Sequence, residues 1–264
     1  MRTLSSRCML RGMPARKAIL VLHGITMSGA SMLRTLGPLG TRLSELGFEL
    51  LAPNAAHRMP SHEIAELRAG LEPLFAKQRS DIADWFSVGR FWDEGEHFDW
   101  LASTTDASAG TKTYRALDAS LATIADAARS KNVVGVLGFS QGAAMATIVV
   151  ARAAQGDPRF AMLRFAVFLS GFKPVFTAPE PPVYPVRTTL ARLFVAGDRD
   201  PIFPGTAEYV ASLGAAFEGG SAEQLLIEGL GHDVPSDPDD IERMVAFVAR
   251  HVEDDESAHP RLPR

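Results

Sequence analysis

The stretch Asn132-Val133-Val134-Gly135-Val136-Leu137-Gly138-Phe139-Ser140-Gln141-Gly142-Ala143-Ala144-Met145-Ala146 decides how the rest of the chain is read. An apolar, β-branched run ends at Gly138, and Gly142 opens an Ala-rich run that reaches Ala154. The pattern predicts a strand, a sharp turn and a buried helix, with G-x-S-x-G at the turn. Such a turn strains the serine backbone and presses the helix against the strand. Only small residues two positions either side of Ser140 avoid a clash there. The Ser140 hydroxyl is then exposed at the end of a sheet, and the helix N-terminus behind it offers N–H groups to developing negative charge. A bare G-x-S-x-G is equally compatible with an ordinary strand-to-helix turn. The flanks favour the nucleophile, because Ala143 to Val150 is apolar nearly all round and calls for burial.

Outward from this stretch, strands alternate with helices. Lys17 to Leu22 reads as a buried strand ending at His23-Gly24. Met32, Leu33, Leu36, Leu39, Leu43 and Leu46 recur at helical spacing, with a kink expected at Gly37-Pro38. Phe48 to Ala52 is a second strand, stopped by Pro53-Asn54. After the residues discussed next, the spacing predicts a helix over Tyr114–Arg129, the central strand and its helix, and a strand over Arg164–Leu169. A Pro-rich loop follows over Lys173–Pro185. Then come a strand over Ala191–Ala196, a helix over Thr206–Phe217, a strand over Ala222–Ile227 and a helix over Asp237–Val252. Such alternation implies an α/β fold with a mainly parallel sheet covered by helices on both faces.

Residues 54–113 break the alternation. They hold Trp85, Trp92 and Trp100 with Phe86, Phe91 and Phe98, interspersed with acids, and one helix is expected near Ser61 to Lys77. A long irregular segment inside a regular fold is expected to act as a lid or binding loop. Trp92 and Phe98 are the candidates for substrate contact. The plainer alternative is that these aromatics pin the insertion to the body as a satellite core.

An exposed serine is a poor nucleophile until a base takes its proton, and the base needs an orienting third group. In this architecture the order is serine, then acid, then histidine, each on a loop at the C-terminal ends of strands. Downstream of Ser140 stand His232, His251 and His259. His251 closes the last helix and His259 lies in the tail. His232 follows the final strand within Gly229-Leu230-Gly231-His232-Asp233, so it is the candidate general base. For the acid, Asp200 is preferred to Asp198, since it lies further out on the loop and is held by Pro201. Asp198 reads as a turn or capping residue. The oxyanion donors are expected from the N–H groups of Gln141 and Ile25. His23 reads as a support for its own loop. His57 and His62 are separated by Pro60 and lack helical i, i+4 geometry, so no metal or other cofactor is expected.

These motifs resemble the FSH-type ("family of serine hydrolases") branch of the α/β-hydrolases, over most of residues 17–252 outside the insertion. The likeness rests on Leu22-His23-Gly24 with Ser28-Gly29, on Val136 to Ala144, and on Phe165 to Phe172. Gly197, Asp200 and Pro204 match the acid loop, and Gly231-His232 with Pro235 the histidine loop. Ala116 departs from the pattern, where glycine is expected, and the insertion is longer than usual. The resemblance implies hydrolysis of carboxylic esters or thioesters through an acyl-serine, some relatives releasing polyketide acyl chains from a synthase. The expected partner is a small acyl ester or thioester, free or carrier-bound. Acyl transfer on the same triad is the neighbouring reading. A non-catalytic binding module of this fold is disfavoured, because it has no need of a complete Ser, Asp and His set.

The whole chain fits a single domain. Its 264 residues suffice for a full core, and 46% hydrophobic with 22% charged content is that of an ordinary globule. A net charge of −4 without a basic, aromatic-interleaved stripe gives no reason to expect nucleic acid. The only cysteine, Cys8, excludes an internal disulfide and fits a reducing compartment, so a cytoplasmic protein is expected. No run approaches the roughly 18 apolar residues of a membrane span. The expected organisation is a disordered leader (1–16), one domain (17–252, insertion or lid 54–113) and a flexible tail (253–264). The leader is basic, without the apolar core of a secretory signal, and the functional start is expected at Met13.

Overall fold

Strand β7 (Asn132–Phe139) is interior to a six-stranded sheet in which every pairing is parallel. The computed structural model describes residues 16–76, 95–106, 111–175, 184–203 and 205–253. With β1 (Lys17–Leu22), β2 (Glu49–Leu51), β8 (Phe165–Leu169), β10 (Ala191–Gly197) and β12 (Ala222–Ile227), the sheet runs β12-β10-β8-β7-β1-β2. The chain builds outward from β1 to β2, then crosses to the other side of β1 and continues from β7 to β12. The reversal lies between β1 and β7, the position where open parallel sheets leave a crevice beyond their C-terminal ends.

Alternate residues of the interior strands feed two cores, one on each face, whereas edge strand β12 feeds one of them through Leu225 and Ile227. Leu20 and Leu22 of β1 and Phe168 of β8 pack with α3 (Leu117–Ala128), α4 (Gln141–Ala154) and α5 (Ala207–Gly214). Ile19 and Val21 of β1 and Phe165 of β8 pack with α1 (Gly29–Glu45) and α6 (Pro238–Glu253). This period of two, repeated strand by strand, is what a sheet covered on both faces requires. Among the described residues no helix is long and apolar enough to cross a membrane.

Helix α1 is kinked at Gly37, whose φ of 47° breaks the helical run just before Pro38. Four expectations shift. The helix predicted from Tyr114 begins only at Leu117, because Thr111–Tyr114 forms β6, paired antiparallel with β5 (Ser103–Asp106). The helix predicted to run to Phe217 ends at Gly214. Phe217–Glu218 instead forms β11, paired with β9 (Val186–Arg187), and the Phe217 ring stacks on Phe168. Burying that ring outweighs the helical spacing that leads up to it. The insertion also carries more regular structure than one helix. Besides α2 (Ser61–Ala76), β3 (His57–Arg58) pairs with β4 (Phe98–Asp99). Finally, Arg16, read with the leader, donates through Nε to Gly47 O at 2.7 Å. Ala116 has a φ of −96°, which alanine adopts freely, so the departure from glycine there has no backbone cost. The remaining leader and the tail from residue 254 lie outside the described residues, as does Met13.

Candidate active site

The turn after β7 is as tight as its glycines imply. Ser140 has φ 54° and ψ −118°, a left-handed conformation costly for any residue with a side chain. A Cβ on Gly142 would lie 2.0 Å from Leu22 O, and one on Gly138 2.3 Å from Gly142 O. Both contacts are with backbone, so the turn admits only glycine at these positions. The register pairs Leu22 with Gly138, which brings the His23-Gly24-Ile25 loop beside Ser140.

Ser140, His232 and Asp200 meet above these strand ends and are 7%, 6% and 4% exposed. His232 Nε2 lies 2.9 Å from Ser140 Oγ, and His232 Nδ1 lies 2.8 Å from Asp200 Oδ2. A carboxylate only accepts, so Nδ1–H donates to Asp200 and Nε2 is left to accept from the serine hydroxyl. Asp200 Oδ1 accepts from the N–H groups of Ile202 and Phe203 at 2.8 and 2.9 Å, which fixes the carboxylate plane. Asp198 instead ties two loops together, its Oδ1 accepting from Gly229 N at 2.7 Å. Arg199 N–H donates to Leu230 O at 3.0 Å, a second stitch between the acid loop and the histidine loop.

Rings surround the histidine. Phe139 and Phe203 lie 5.1 and 5.5 Å from its ring centroid, and Phe203 stacks between Phe172 and Tyr209. The Tyr209 hydroxyl donates to Gly171 O. Burial, and secondarily the Asp200 charge, raise the Tyr209 pKa, so it stays a neutral donor.

His23 is fully buried and holds its loop from both ring nitrogens. Nε2 accepts from Ala55 N at 3.0 Å, and Nδ1–H donates to Gly24 O at 2.7 Å. Burial lowers its pKa to about 4, the Gly24 bond opposing that shift, so the ring is neutral near pH 7. Among the loop hydrogen bonds of the described residues, neither Ile25 N–H nor Gln141 N–H has a carbonyl partner.

A family model described as serine hydrolase (FSH1) matches residues 13–244. The chain belongs to the FSH1 serine hydrolase family. Esterase OVCA2 of Bos taurus is 37% identical over 123 residues, 46% of this chain and 52% of that protein. The chain thus spans about half the length of that relative. Esterase OVCA2 of Mus musculus is 29% identical over 243 residues, 86% of this chain and 100% of that protein. Acyl-protein thioesterase 2 of Zea mays has a similar structure, with TM-score 0.53, 17% identity, and coverage of 92% of this chain and 96% of that one. At that identity the likeness speaks for the fold alone, an α/β-hydrolase.

The remaining candidates of this FSH1 member separate clearly. Trp92 lies outside the described residues. Phe98, 8% exposed, belongs to the core beside Trp100 and Leu101, and its carbonyl accepts from Thr26 N. That is the placement of a scaffold ring. His57 Nε2 lies 2.7 Å from Glu63 Oε2, a hydrogen bond between β3 and α2. Among the described residues no group of three His, Cys, Asp or Glu side chains converges on a point where a metal could bind. Sequence reasoning passed over Phe172 and Phe203. Each is one aromatic residue past a strand end, with no periodicity to mark it; the signal that could have found them is their position beyond β8 and β10, next to the acid loop.

Proposed function

We propose that the protein hydrolyses a carboxylic ester or thioester through an acyl-Ser140 intermediate. The observation that carries this reading is the continuous chain from Ser140 Oγ to His232 Nε2 at 2.9 Å and from His232 Nδ1 to Asp200 Oδ2 at 2.8 Å. His232 takes the Ser140 proton as Oγ attacks the acyl carbon. The carbonyl oxygen becomes an oxyanion facing the N–H groups of Gln141 and Ile25. As the tetrahedral adduct collapses, His232 returns the proton to the leaving alcohol or thiol. Water then repeats the sequence on the acyl-serine, releasing the acid and free Ser140. Asp200 stays ionised throughout, orienting the imidazole and stabilising its protonated form. The reading is supported by membership of a serine hydrolase family and by relatives named as esterases.

On the acyl side, the half-buried rings of Phe172 and Phe203 supply apolar surface beside His232. They take the role assigned from sequence to Phe98. The decisive test is a fluorophosphonate probe followed by mapping of the adduct. Labelling is expected at Ser140, and Ser140→Ala is expected to lose both labelling and turnover. An adduct elsewhere, or equal labelling of the variant, removes Ser140 as nucleophile.

A further inference from the structure

We propose that His97–Ala102 is a brace holding the two oxyanion-donor loops in register, with Asp99 as its positioning residue. The inference rests on the acyl-serine reading above. One donor, Ile25 N–H, belongs to the loop after β1; the other, Gln141 N–H, to the turn after β7. The strands fix where these loops start. The loops themselves continue past the last ladder pair, Leu22 with Gly138, and need other support.

The segment 97–102 bonds to both. Toward the β1 loop, Thr26 N–H donates to Phe98 O at 2.9 Å, and His97 Nδ1–H donates to Thr26 O at 2.7 Å. Trp100 Nε1–H donates to His23 O at 2.8 Å. Thr26 is held at φ 68°, a conformation that a β-branched residue adopts only when its surroundings impose it. Both of its backbone groups are tied to the brace, and it directly follows Ile25.

Toward the elbow, the bonds run through the Gln141 side chain, which is buried. Its Oε1 accepts from Trp100 N–H at 2.9 Å, and its Nε2 donates to Asp99 Oδ1 at 2.7 Å. Asp99 Oδ1 also accepts from the N–H groups of Leu101 and Ala102, each at 2.8 Å. The same oxygen therefore shapes the turn of the brace and grips the residue whose N–H faces the oxyanion. The brace is in turn anchored on α3, since Ser120 Oγ donates to Trp100 O at 2.7 Å. Asp99 Oδ1 bonds to Leu101, Ala102 and Gln141, so it acts on the elbow through Gln141.

The plainer role for Asp99 is stabilising its own turn, and the two roles separate kinetically. Separate aliquots of the full-length protein and of its Asp99→Ala, Asp99→Asn and Gln141→Leu variants are labelled exhaustively with fluorophosphonate to count reactive Ser140, and unlabelled aliquots are kept for turnover. Turnover of an activated ester is then expressed per labelled Ser140. A trifluoromethyl ketone, which forms an oxyanion on Ser140, is titrated in parallel. Displacing an oxyanion donor without deleting it is expected to lower kcat per site about 10- to 100-fold in Asp99→Ala. KM is expected to change less than about threefold, and ketone affinity to weaken in step with kcat. Asn keeps an acceptor oxygen for all three donors, so Asp99→Asn is expected to recover most of the lost kcat. Gln141→Leu keeps the backbone N–H and loses the grip, and it is expected to show the same kcat defect. It carries the test if Asp99→Ala does not fold. Per-site kcat within about twofold of wild type, with only Tm lowered, overturns the brace and leaves the acyl-serine reading intact. Wild-type protein with neither turnover nor a Ser140 adduct overturns both.

Discussion

Acidification from about pH 7 to about pH 4 is expected to remove about 3 kcal/mol of folding stability through His23 alone. The ring is fully buried, and burial holds its pKa at about 4 against 6.5 for the exposed group. Between those values the unfolded chain binds a proton that the folded protein refuses. Stability therefore rises with pH across that window and falls as the solution is acidified through it. At about 1.4 kcal/mol per pH unit the full gap amounts to about 3 kcal/mol, most of which is lost by pH 4, where the folded ring is half titrated. Protonation also forbids the Ala55 N–H bond, because Nε2 no longer has a lone pair to offer. The informative variant is His23→Gln, whose side-chain oxygen can still accept from Ala55 while carrying no titration. It is expected to lose about 1 kcal/mol near neutrality with the Gly24 bond, and to overtake wild type below about pH 5.5. Urea denaturation at a series of pH values, followed by tryptophan emission, measures this. The Trp100 ring centroid lies 4.7 Å from that of His23, so one of the three emitting tryptophans sits in that neighbourhood. Parallel stability–pH profiles for the two proteins would refute the reasoning.

Asp200→Asn is expected to lower turnover per active site about 10⁴-fold, while Asp198→Ala, which frees only the Gly229 N–H, costs about tenfold or less. The opposite ranking in steady-state kinetics would reassign the acid. Removing the ring at Phe203 by Phe203→Ala is expected to lower kcat/KM for large acyl esters by about 1–2 kcal/mol and hardly affect acetyl esters. An equal loss for both would make that ring scaffold.

The elbow and the candidate acid and base were legible because their signals are local. Gly138 and Gly142 flank Ser140 for steric reasons confined to one turn, and Asp200 and His232 each sit just beyond a strand with clear apolar periodicity. His23, too, showed its role, standing directly after a buried strand. The brace was not legible. Phe98 and Trp100 read as lid aromatics, and nothing in their spacing says that Asp99 reaches Gln141, 42 residues away in sequence. Two-residue strands such as β3, β4, β9 and β11 carry no period at all. Their pairing is settled by which ring becomes buried, and Phe217 ends a helix that its spacing would have extended.

The strand order has a consequence for how reactivity arises during folding. The central ladder joins Lys17 to Asn132, and Ser140 meets His232 across 92 residues of chain. The proposed oxyanion donors in the loop after β1, the proposed nucleophile after β7 and the proposed base after β12 come together only when nearly the whole sheet has formed. Parallel pairings of such long range must close large loops before any contact rewards them, so they form slowly and late. A chain still emerging from the ribosome, or trapped with β12 undocked, is thus expected to hold Ser140 without the His232 contact that the proposed mechanism requires. On the proposed mechanism, reactivity is expected to switch on only when the far edge of the sheet has closed, so labelling of Ser140 is expected to count completed molecules and pass over partly folded ones.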